Sequence, residues 1–303
     1  MSSGSRLLLV GLRGSGKTSY LAALWHLVEA GEIPTSLVSS QLQPDREHLN
    51  RIRDKWLSFQ EVGRTSLRSP EMVSLILRDP GTGAEIDVTV PDLSGELFRL
   101  QWANRKATRS YAEFAAESCG VLLLIHPADL QRAPRIPLPP TTEPPLSTDM
   151  ESPLGDPIGE TAMGMSATEP KEWSPDVVPT QVELVELIQF VAHLHTATQP
   201  LRVAVVVSAW DLVRDPILPV SWVESHLPLL SQFLVANADV VPFRAYGVSA
   251  LGGDLAKDLE RLQKEAVPSH RIKVVENSLE PHGDLTAPIK FLLALDNDRP
   301  KSA

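Results

Sequence analysis

Residues 7–18 decide the fold, and they read Leu7-Leu8-Leu9-Val10-Gly11-Leu12-Arg13-Gly14-Ser15-Gly16-Lys17-Thr18. The first four residues form a short apolar run, which is typical of a buried strand. The other eight match the pattern G-x-x-x-x-G-K-[ST] in full. Apolar residues then recur at helical spacing, with Leu21, Leu24, Trp25 and Val28 on one face. The stretch therefore predicts a strand, a glycine-rich loop and a helix, which is the context of a phosphate-binding loop.

A loop of this kind holds a nucleoside triphosphate through its backbone and two side chains. Its glycines let successive N–H groups turn toward phosphate oxygens, and the N-terminus of the following helix adds positive potential. In such loops the lysine reaches the β- and γ-phosphates and the hydroxyl of the next residue ligates Mg²⁺. We expect Lys17 to act in catalysis and Thr18 to bind the metal. We expect nucleotide contacts from Gly11, Arg13, Gly14, Ser15, Gly16, Lys17, Thr18 and Ser19.

Beyond this loop, short apolar runs alternate with amphipathic helical patterns, which predicts βα units and a largely parallel sheet. Residues 79–83 favour a turn and join two of the predicted strands as a hairpin. The predicted strands are 7–10, 72–78, 86–90, 121–125, 203–207 and 243–248, with a further short strand at 272–275. The predicted helices are 19–30, 45–60, 181–195, one helix carrying Val223 to Leu234, and a final helix carrying Ile289 to Leu293. The pattern predicts a doubly wound α/β domain with about six core strands.

The prolines are unevenly spread, since 12 of the 26 lie between Pro127 and Pro179. The same stretch carries nine acidic and three basic residues, a net charge of −6 out of −10 for the chain. Such a composition cannot bury enough apolar surface to offset the entropy of ordering. We therefore predict one domain over residues 1–298, interrupted by a disordered insert at 127–180, with a tail at 299–303. The insert is either a solvated linker or a partner-binding tether, with 137–140 as a polyproline docking stretch.

Composition excludes several classes of protein. The chain has 303 residues, of which 43% are hydrophobic and 22% charged, as in ordinary globular proteins. Its acidic balance argues against nucleic acid or an anionic membrane surface as the main partner. Apolar runs of five or six residues are far short of the ~20 needed to span a bilayer. The start has no cationic, apolar leader and Cys119 is the single cysteine, so we expect a cytoplasmic protein without disulfides.

Three further motifs follow predicted strands. Asp92-Leu93-Ser94-Gly95 has the form D-x-x-G, and at a strand tip facing the phosphate loop its aspartate holds the Mg²⁺ shell while the glycine N–H bonds the γ-phosphate. We therefore expect Asp92 in the metal site and Gly95 at the nucleotide. Residues 208–211 read Ser-Ala-Trp-Asp, and residues 249–251 read Ser-Ala-Leu. With the phosphate loop, these motifs stand in the order and strand-end positions of GTPase motifs.

With these four motifs the chain resembles the TRAFAC class of P-loop GTPases over nearly all of its predicted ordered length. Gly-Ser-Gly-Lys-Thr, Asp-Leu-Ser-Gly-Glu and Ser-Ala-Trp-Asp are most similar to the bacterial double-GTPase group. The resemblance implies a Ras-like fold with a mixed, mostly parallel sheet of six strands and helices on both faces. It also implies Mg²⁺-dependent GTP binding and a switch role. The group is associated with paired GTPases in signalling or defence systems, so a second GTPase or a regulatory protein is the implied partner.

Base recognition departs from the family pattern [NT]-K-x-D at two positions, Ser208 and Ala209. The missing lysine normally covers the guanine face with its aliphatic chain. Asp211 still accepts two N–H bonds from guanine, which adenine does not offer in the same way. Ser249, Ala250 and Leu251 keep the backbone amide that meets guanine O6 in this family. Guanine is therefore favoured, with ATP as the open competitor.

Hydrolysis is predicted to be slow. Relatives use a glutamine after D-x-x-G to orient the attacking water, and this chain has Glu96, whose charge repels the γ-phosphate. We place the first switch loop, a segment that changes conformation between nucleotide states, between the predicted helix ending near residue 60 and the predicted strand at 72–78. There Thr65 or Ser66 completes the Mg²⁺ shell, and Arg64 or Arg68 serves as an arginine finger in cis. Two alternatives stay open, a P-loop ATPase and a pseudo-GTPase that acts as an interaction module through its acidic insert.

Overall fold

The computed structural model describes residues 5–40, 46–60, 71–92, 95–132 and 178–295, with only the backbone at 71, 91, 92 and 95–97. Alternating strands and helices fill these ranges. The strands are β1 (Ser5–Val10), β2 (Val38–Ser39), β3 (Glu71–Arg78), β4 (Glu85–Asp92), β5 (Ser118–Ile125), β6 (Arg202–Ser208), β7 (Phe243–Ser249) and β8 (Lys273–Val275). The helices are α1 (Lys17–Ala30), α2 (Arg46–Leu57), α3 (Gly95–Asn104), α4 (Arg109–Ala116), α5 (Thr180–Leu194), α6 (Pro219–His226), α7 (Pro228–Ala236), α8 (Leu255–Gln263) and α9 (Ala287–Leu292).

The described strands form one sheet in the order β2-β3-β4-β1-β5-β6-β7-β8. Its five central strands, β4 to β7 in that order, run parallel. The remaining pairs, β2–β3, β3–β4 and β7–β8, are antiparallel. The prediction of a mixed, mostly parallel sheet is confirmed, although it has eight strands rather than six because β2 and β8 extend its edges. The carboxyl ends of the parallel strands meet at one edge, which is where such sheets bind ligands.

Helices cover both faces of the sheet, and the alternation along β1 shows why. Leu7 and Leu9 point into a buried cluster with α1, α2 and α9, whereas Leu8 and Val10 point into a second cluster with α3 to α7. Strands buried on both faces need continuous apolar runs, which is what the sequence of β1, β5 and β6 supplies. The doubly wound arrangement follows from this pattern.

One predicted helix is wrong. The apolar residues from Val223 to Leu234 belong to two helices, α6 and α7, rather than one. Pro228 separates them, because a proline has no N–H to donate inside a helix and its ring clashes with the preceding turn. Leu227 leaves the helical conformation with φ −133° and ψ 56°, and Pro228 becomes the first residue of α7.

The described ends of the predicted insert are held together. The Gln131 N–H donates to Thr180 Oγ1 at 2.9 Å, and the Thr180 N–H donates to the Gln131 carbonyl at 2.9 Å. Thr180 is also the first residue of α5, so this helix begins at the end of the predicted range. Residues 133–177, including the polyproline stretch 137–140, lie outside the described residues.

A buried histidine makes the fold sensitive to acid. His26 on α1 lies with Nε2 3.3 Å from Glu32 Oε2, and burial lowers its pKa from 6.5 despite that contact. His26 therefore has a higher pKa in the unfolded chain than in the folded protein. As the pH falls from 6.5 toward the lower pKa of the folded state, the unfolded chain takes up the proton more readily and the free energy of unfolding decreases. We expect the melting temperature to decline as pH is lowered from about 7.5 to about 5.5. His26→Asn should flatten this part of the pH profile, and an unchanged slope in that variant would contradict the assignment to His26.

Candidate nucleotide-binding site

The phosphate loop lies between β1 and α1, as the sequence predicts. Gly14 and Gly16 adopt left-handed backbone conformations, with φ of 77° and 85°. Residues with a Cβ rarely adopt these angles, so the second and third glycines are required by the shape of the loop. Gly16 is the N-cap of α1, and the helix begins at Lys17. The positive end of α1 therefore opens directly onto the loop.

The Lys17 ammonium is held inside this loop. Its Nζ donates to the Gly11 carbonyl at 2.6 Å, to the Leu12 carbonyl at 3.1 Å and to Ser15 Oγ at 3.4 Å. Lys17 is only 7% exposed, so its positive charge is buried at the junction between the loop and α1. A cation and a helix N-terminus at one point form an anion site suited to phosphate.

A cavity of about 390 Å³ lies next to the loop. It joins the phosphate loop to the segments that follow β6 and β7, so it brings the separate sequence motifs together. Its lining includes the predicted residues Gly14, Gly16, Ser19, Ser208, Asp211, Ala250 and Leu251. It also includes residues that were not predicted, namely Tyr20, Leu124, His126, Ala209, Leu212, Val248, Gly253, Asp254 and Leu255.

The two loops predicted to recognise the base are bonded to each other. Ser249 Oγ donates to Asp211 Oδ1 and accepts the Gly252 N–H at 3.1 Å. Ser249 therefore fixes both the carboxylate of the first loop and the backbone of the second. Ala209 has a left-handed conformation, with φ 46° and ψ 47°, at the turn that leads to Asp211. The aspartate is thus placed at the cavity by two specific constraints on its loop.

Trp210 directly precedes Asp211 and packs closely against Gly247 of β7. Its indole lies so close to Gly247 of β7 that a Cβ there would meet Trp210 Cδ2 at 2.2 Å. We expect Gly247→Ala to displace the indole, to lower the free energy of unfolding by about 1–3 kcal/mol, and to weaken GTP binding through Asp211. Thermal melts and nucleotide titrations measure these effects.

A double-mutant cycle provides the control for this clash. In a Trp210→Ala background the space is free, so adding Gly247→Ala should have little further effect on stability. Additive losses in the double variant would show that contact with the Trp210 indole is not the cause.

The end of β4 reaches the same sheet edge as the phosphate loop, because β4 and β1 are parallel neighbours. Asp92 is the last residue of β4, and Gly95 and Glu96 begin α3. The structure describes only the backbone of these three residues, and Arg64 and Thr65 lie outside the described residues. The hydroxyl of Thr18 and the carboxylate of Asp92 are hard oxygen ligands of the kind that Mg²⁺ takes together with phosphate oxygens. The described residues contain no group of three or more His, Cys, Asp or Glu side chains that could hold a metal ion.

His126 lines the cavity but was not predicted from the sequence, and it directly follows β5. Its Nδ1 accepts the Ala128 N–H at 3.3 Å, and Asp129 next to it is close enough to the loop that a Cβ at Gly14 would be 2.9 Å from its Oδ2. The rule that strand ends carry ligands predicts this position once β5 is placed at the centre of the sheet. Arg13, which was predicted to contact nucleotide, is exposed and is not among the residues that line the cavity.

Comparison with known proteins gives one strong match. The model of the family described as Double-GTPase 1 matches residues 8–292. A search of curated proteins gives no match. No helix in the described part of the chain is both long and apolar enough to cross a membrane.

Several solved structures are similar at low identity. The signal recognition particle receptor SRb-GTP/SRX complex from Chaetomium thermophilum is 12% identical with a TM-score of 0.40, covering 86% of this chain and 97% of that one. Bacterial selenocysteine-specific elongation factor EF-Sec is 11% identical with a TM-score of 0.37, covering 87% of this chain and only 28% of that one. An ADP-ribosylation factor-like GTP-binding protein, or small COPII coat GTPase SAR1, from Encephalitozoon cuniculi in complex with GDP is 12% identical with a TM-score of 0.31, covering 87% and 78%.

The family match starts inside β1 and ends at the last residue of α9. It therefore includes the phosphate loop, the end of β4 and both loops that meet at Ser249. Because the match covers most of the chain, including every residue that lines the cavity, the chain belongs to the Double-GTPase 1 family.

Proposed function

We propose that this GTPase binds Mg²⁺–GTP in the cavity beside the phosphate loop and acts as a switch with slow intrinsic hydrolysis. The observation that carries the proposal is the cavity itself, because its wall contains both phosphate-loop glycines and the base-recognition residues Asp211 and Ala250. A ligand that uses both groups places an anionic part on the glycine loop and a hydrogen-bonding part beside Asp211. A nucleoside triphosphate meets this requirement.

The phosphates lie on the loop in this proposal. Lys17 Nζ and the N-terminus of α1 supply positive charge at one point, and the backbone N–H groups of the loop donate to phosphate oxygens. Lys17 neutralises charge that develops on the β- and γ-phosphates during transfer. Mg²⁺, when bound by Thr18, Asp92 and Thr65, supplies further neutralisation between the phosphates.

The base lies between Asp211 and the loop after β7. Ser249 holds one carboxylate oxygen of Asp211, and the carboxylate accepts the N1–H and N2–H donors that guanine presents together. Leu212 and Leu251 line the same cavity and offer apolar surface to the base faces in place of the absent lysine stem. Guanine is thus recognised by a carboxylate and stacked on aliphatic groups.

We also propose a single GTPase domain over residues 1–298, interrupted at 127–180 and followed by a tail at 299–303. Support comes from β5 and β6, the last strand before the interruption and the first strand after it, which are hydrogen-bonded neighbours in one sheet. The paired ends at Gln131 and Thr180 allow the interruption to leave and re-enter the domain at one place. A second GTPase or a regulatory protein is the proposed partner of the switch.

We propose a cytoplasmic location for the protein. The thiol of Cys119, the one cysteine in the chain, donates to the Arg6 carbonyl, and burial raises its pKa to about 11. A half-buried, protonated thiol is compatible with a reducing compartment.

Phosphate release from GTP and from ATP, each with and without Mg²⁺, tests the proposed function. We expect slow release from GTP that requires Mg²⁺ and is faster than release from ATP. Faster turnover of ATP would identify a P-loop ATPase instead. No turnover of either nucleotide, with or without a partner, would favour an interaction module.

Glu96 should limit the rate of hydrolysis. Relatives have a glutamine at this motif position, whose amide orients the attacking water, and the negative charge of a glutamate opposes the approach of the γ-phosphate. We expect Glu96→Gln to raise single-turnover GTP hydrolysis by about tenfold. Glu113→Gln, which changes an exposed glutamate on α4, should leave the rate unaltered. A slower rate in Glu96→Gln would mean that the carboxylate acts as a base.

A further inference from the structure

The loop that follows β7 is held from behind by a tryptophan of a different element. Trp56, in the last turn of α2, is completely buried, and its Nε1 donates to the Ala250 carbonyl at 3.1 Å. Ala250 and Leu251 line the nucleotide cavity, whereas no residue of α2 does so. Trp56 therefore contacts the base-recognition loop without lining the cavity itself.

This bond fixes the direction of a peptide N–H. No peptide bond among the described residues is cis, so the carbonyl of Ala250 and the N–H of Leu251 point in opposite directions. Because the carbonyl is directed at Trp56, the N–H of Leu251 is directed away from it, and Leu251 itself lines the cavity. Within the described part of the chain this N–H has no hydrogen-bond acceptor. It is a donor available to a ligand.

Trp56 is itself held rigidly, which makes it an effective anchor. The Arg271 guanidinium lies 4.4 Å from the centroid of its ring, and the His26 ring centroid lies 5.1 Å away. The donor on Trp56 is thus fixed by the contacts of its ring with His26 of α1 and with Arg271.

We infer that Trp56 is a positioning residue for base selection, acting through the Ala250–Leu251 peptide. Guanine carries an oxygen acceptor at C6, whereas adenine carries an amino donor at the same place. A fixed N–H bonds the first and is left unpaired against the second, which is how a polar site rejects the wrong ligand. The inference rests on the proposed function, since it requires a guanine in this cavity.

Trp56→Phe tests the inference because it removes the indole N–H and keeps an aromatic ring between His26 and Arg271. Affinities are measured for GTP and ITP, which have the C6 oxygen, and for ATP and 2-aminopurine riboside triphosphate, which lack it. We expect GTP and ITP to bind about three- to tenfold more weakly, with the other two changed less than about twofold. A merely structural role would weaken the binding of all four nucleotides equally, and that result would overturn the inference. Unchanged GTP affinity would overturn it as well.

Trp25→Phe is the matched control. It removes the same indole donor from a buried tryptophan on the same pair of helices, but Trp25 contacts Asn50 rather than the base loop. We expect it to leave the ratio of GTP to ATP affinity unchanged. Should it lower that ratio as much as Trp56→Phe, the contact with Ala250 would not be the cause.

Leu251→Pro provides a second route if Trp56→Phe does not fold. It deletes the N–H donor itself, and it should reduce the GTP to ATP affinity ratio in the same way. An unchanged ratio would overturn the inference. Failure of the proposed function is distinguishable, because then the wild-type protein would already show no preference for GTP.

Discussion

Lys17→Ala is expected to lower GTP turnover by about 100- to 1,000-fold. Lys17 Nζ is the buried cation of the phosphate loop, and it lies within hydrogen-bond distance of the Gly11 and Leu12 carbonyls. Removing it leaves the β- and γ-phosphates without their nearest positive side chain as negative charge develops during transfer. Single-turnover phosphate release at saturating GTP measures the effect.

The matched control for this variant is Lys264→Ala, because Lys264 is an exposed lysine at the end of α8. It should keep wild-type turnover. Melting curves for both variants separate a catalytic loss from unfolding. A loss of less than about tenfold in folded Lys17→Ala would place the reacting phosphates away from this ammonium.

Asp211→Asn is expected to weaken GTP binding by about 10- to 100-fold and to strengthen binding of xanthosine triphosphate. The carboxylate accepts two N–H groups of guanine, and each bond to a charged group contributes more than a neutral one. An asparagine amide donates instead, so it suits the oxygen that xanthine has at C2. The preferred base should therefore change, and this outcome distinguishes base contact from a general loss of fold.

Asp215→Asn is the control for the base change, since Asp215 is an exposed aspartate four residues further along the same loop. We expect it to bind GTP as the wild type does. If Asp211→Asn retained full GTP affinity, the carboxylate would not face the base, and Asp211 would have only its structural bond to Ser249.

The fold was largely predictable because its strands are apolar on both faces. β1, β5 and β6 carry continuous apolar runs, and such runs identify central strands of a parallel sheet. β2 escaped prediction because two residues carry no periodicity. The single helix predicted across Pro228 failed because the apolar spacing continues past the break in the backbone. Helices α3, α4 and α8 are 8 to 10 residues long, which leaves few turns from which to read a pattern.

The candidate site was predictable where one local motif carries the chemistry. The phosphate loop needs its glycines and Lys17 within eight residues, so its sequence is sufficient. His126 and Tyr20 could not be found in this way, because they reach the cavity only through the packing of β5 and α1. Trp56 lies even further from any motif, since its bond to Ala250 joins residues 194 positions apart.

The most direct test is the affinity of the wild-type protein for GTP and for ATP, measured by titration calorimetry at the same Mg²⁺ concentration. A guanine base seated between Asp211 and the Ser249–Leu251 loop predicts that GTP binds at least about tenfold more tightly than ATP. It also predicts that Asp211→Asn removes this difference. Equal affinities, or tighter binding of ATP, would contradict guanine recognition in this cavity.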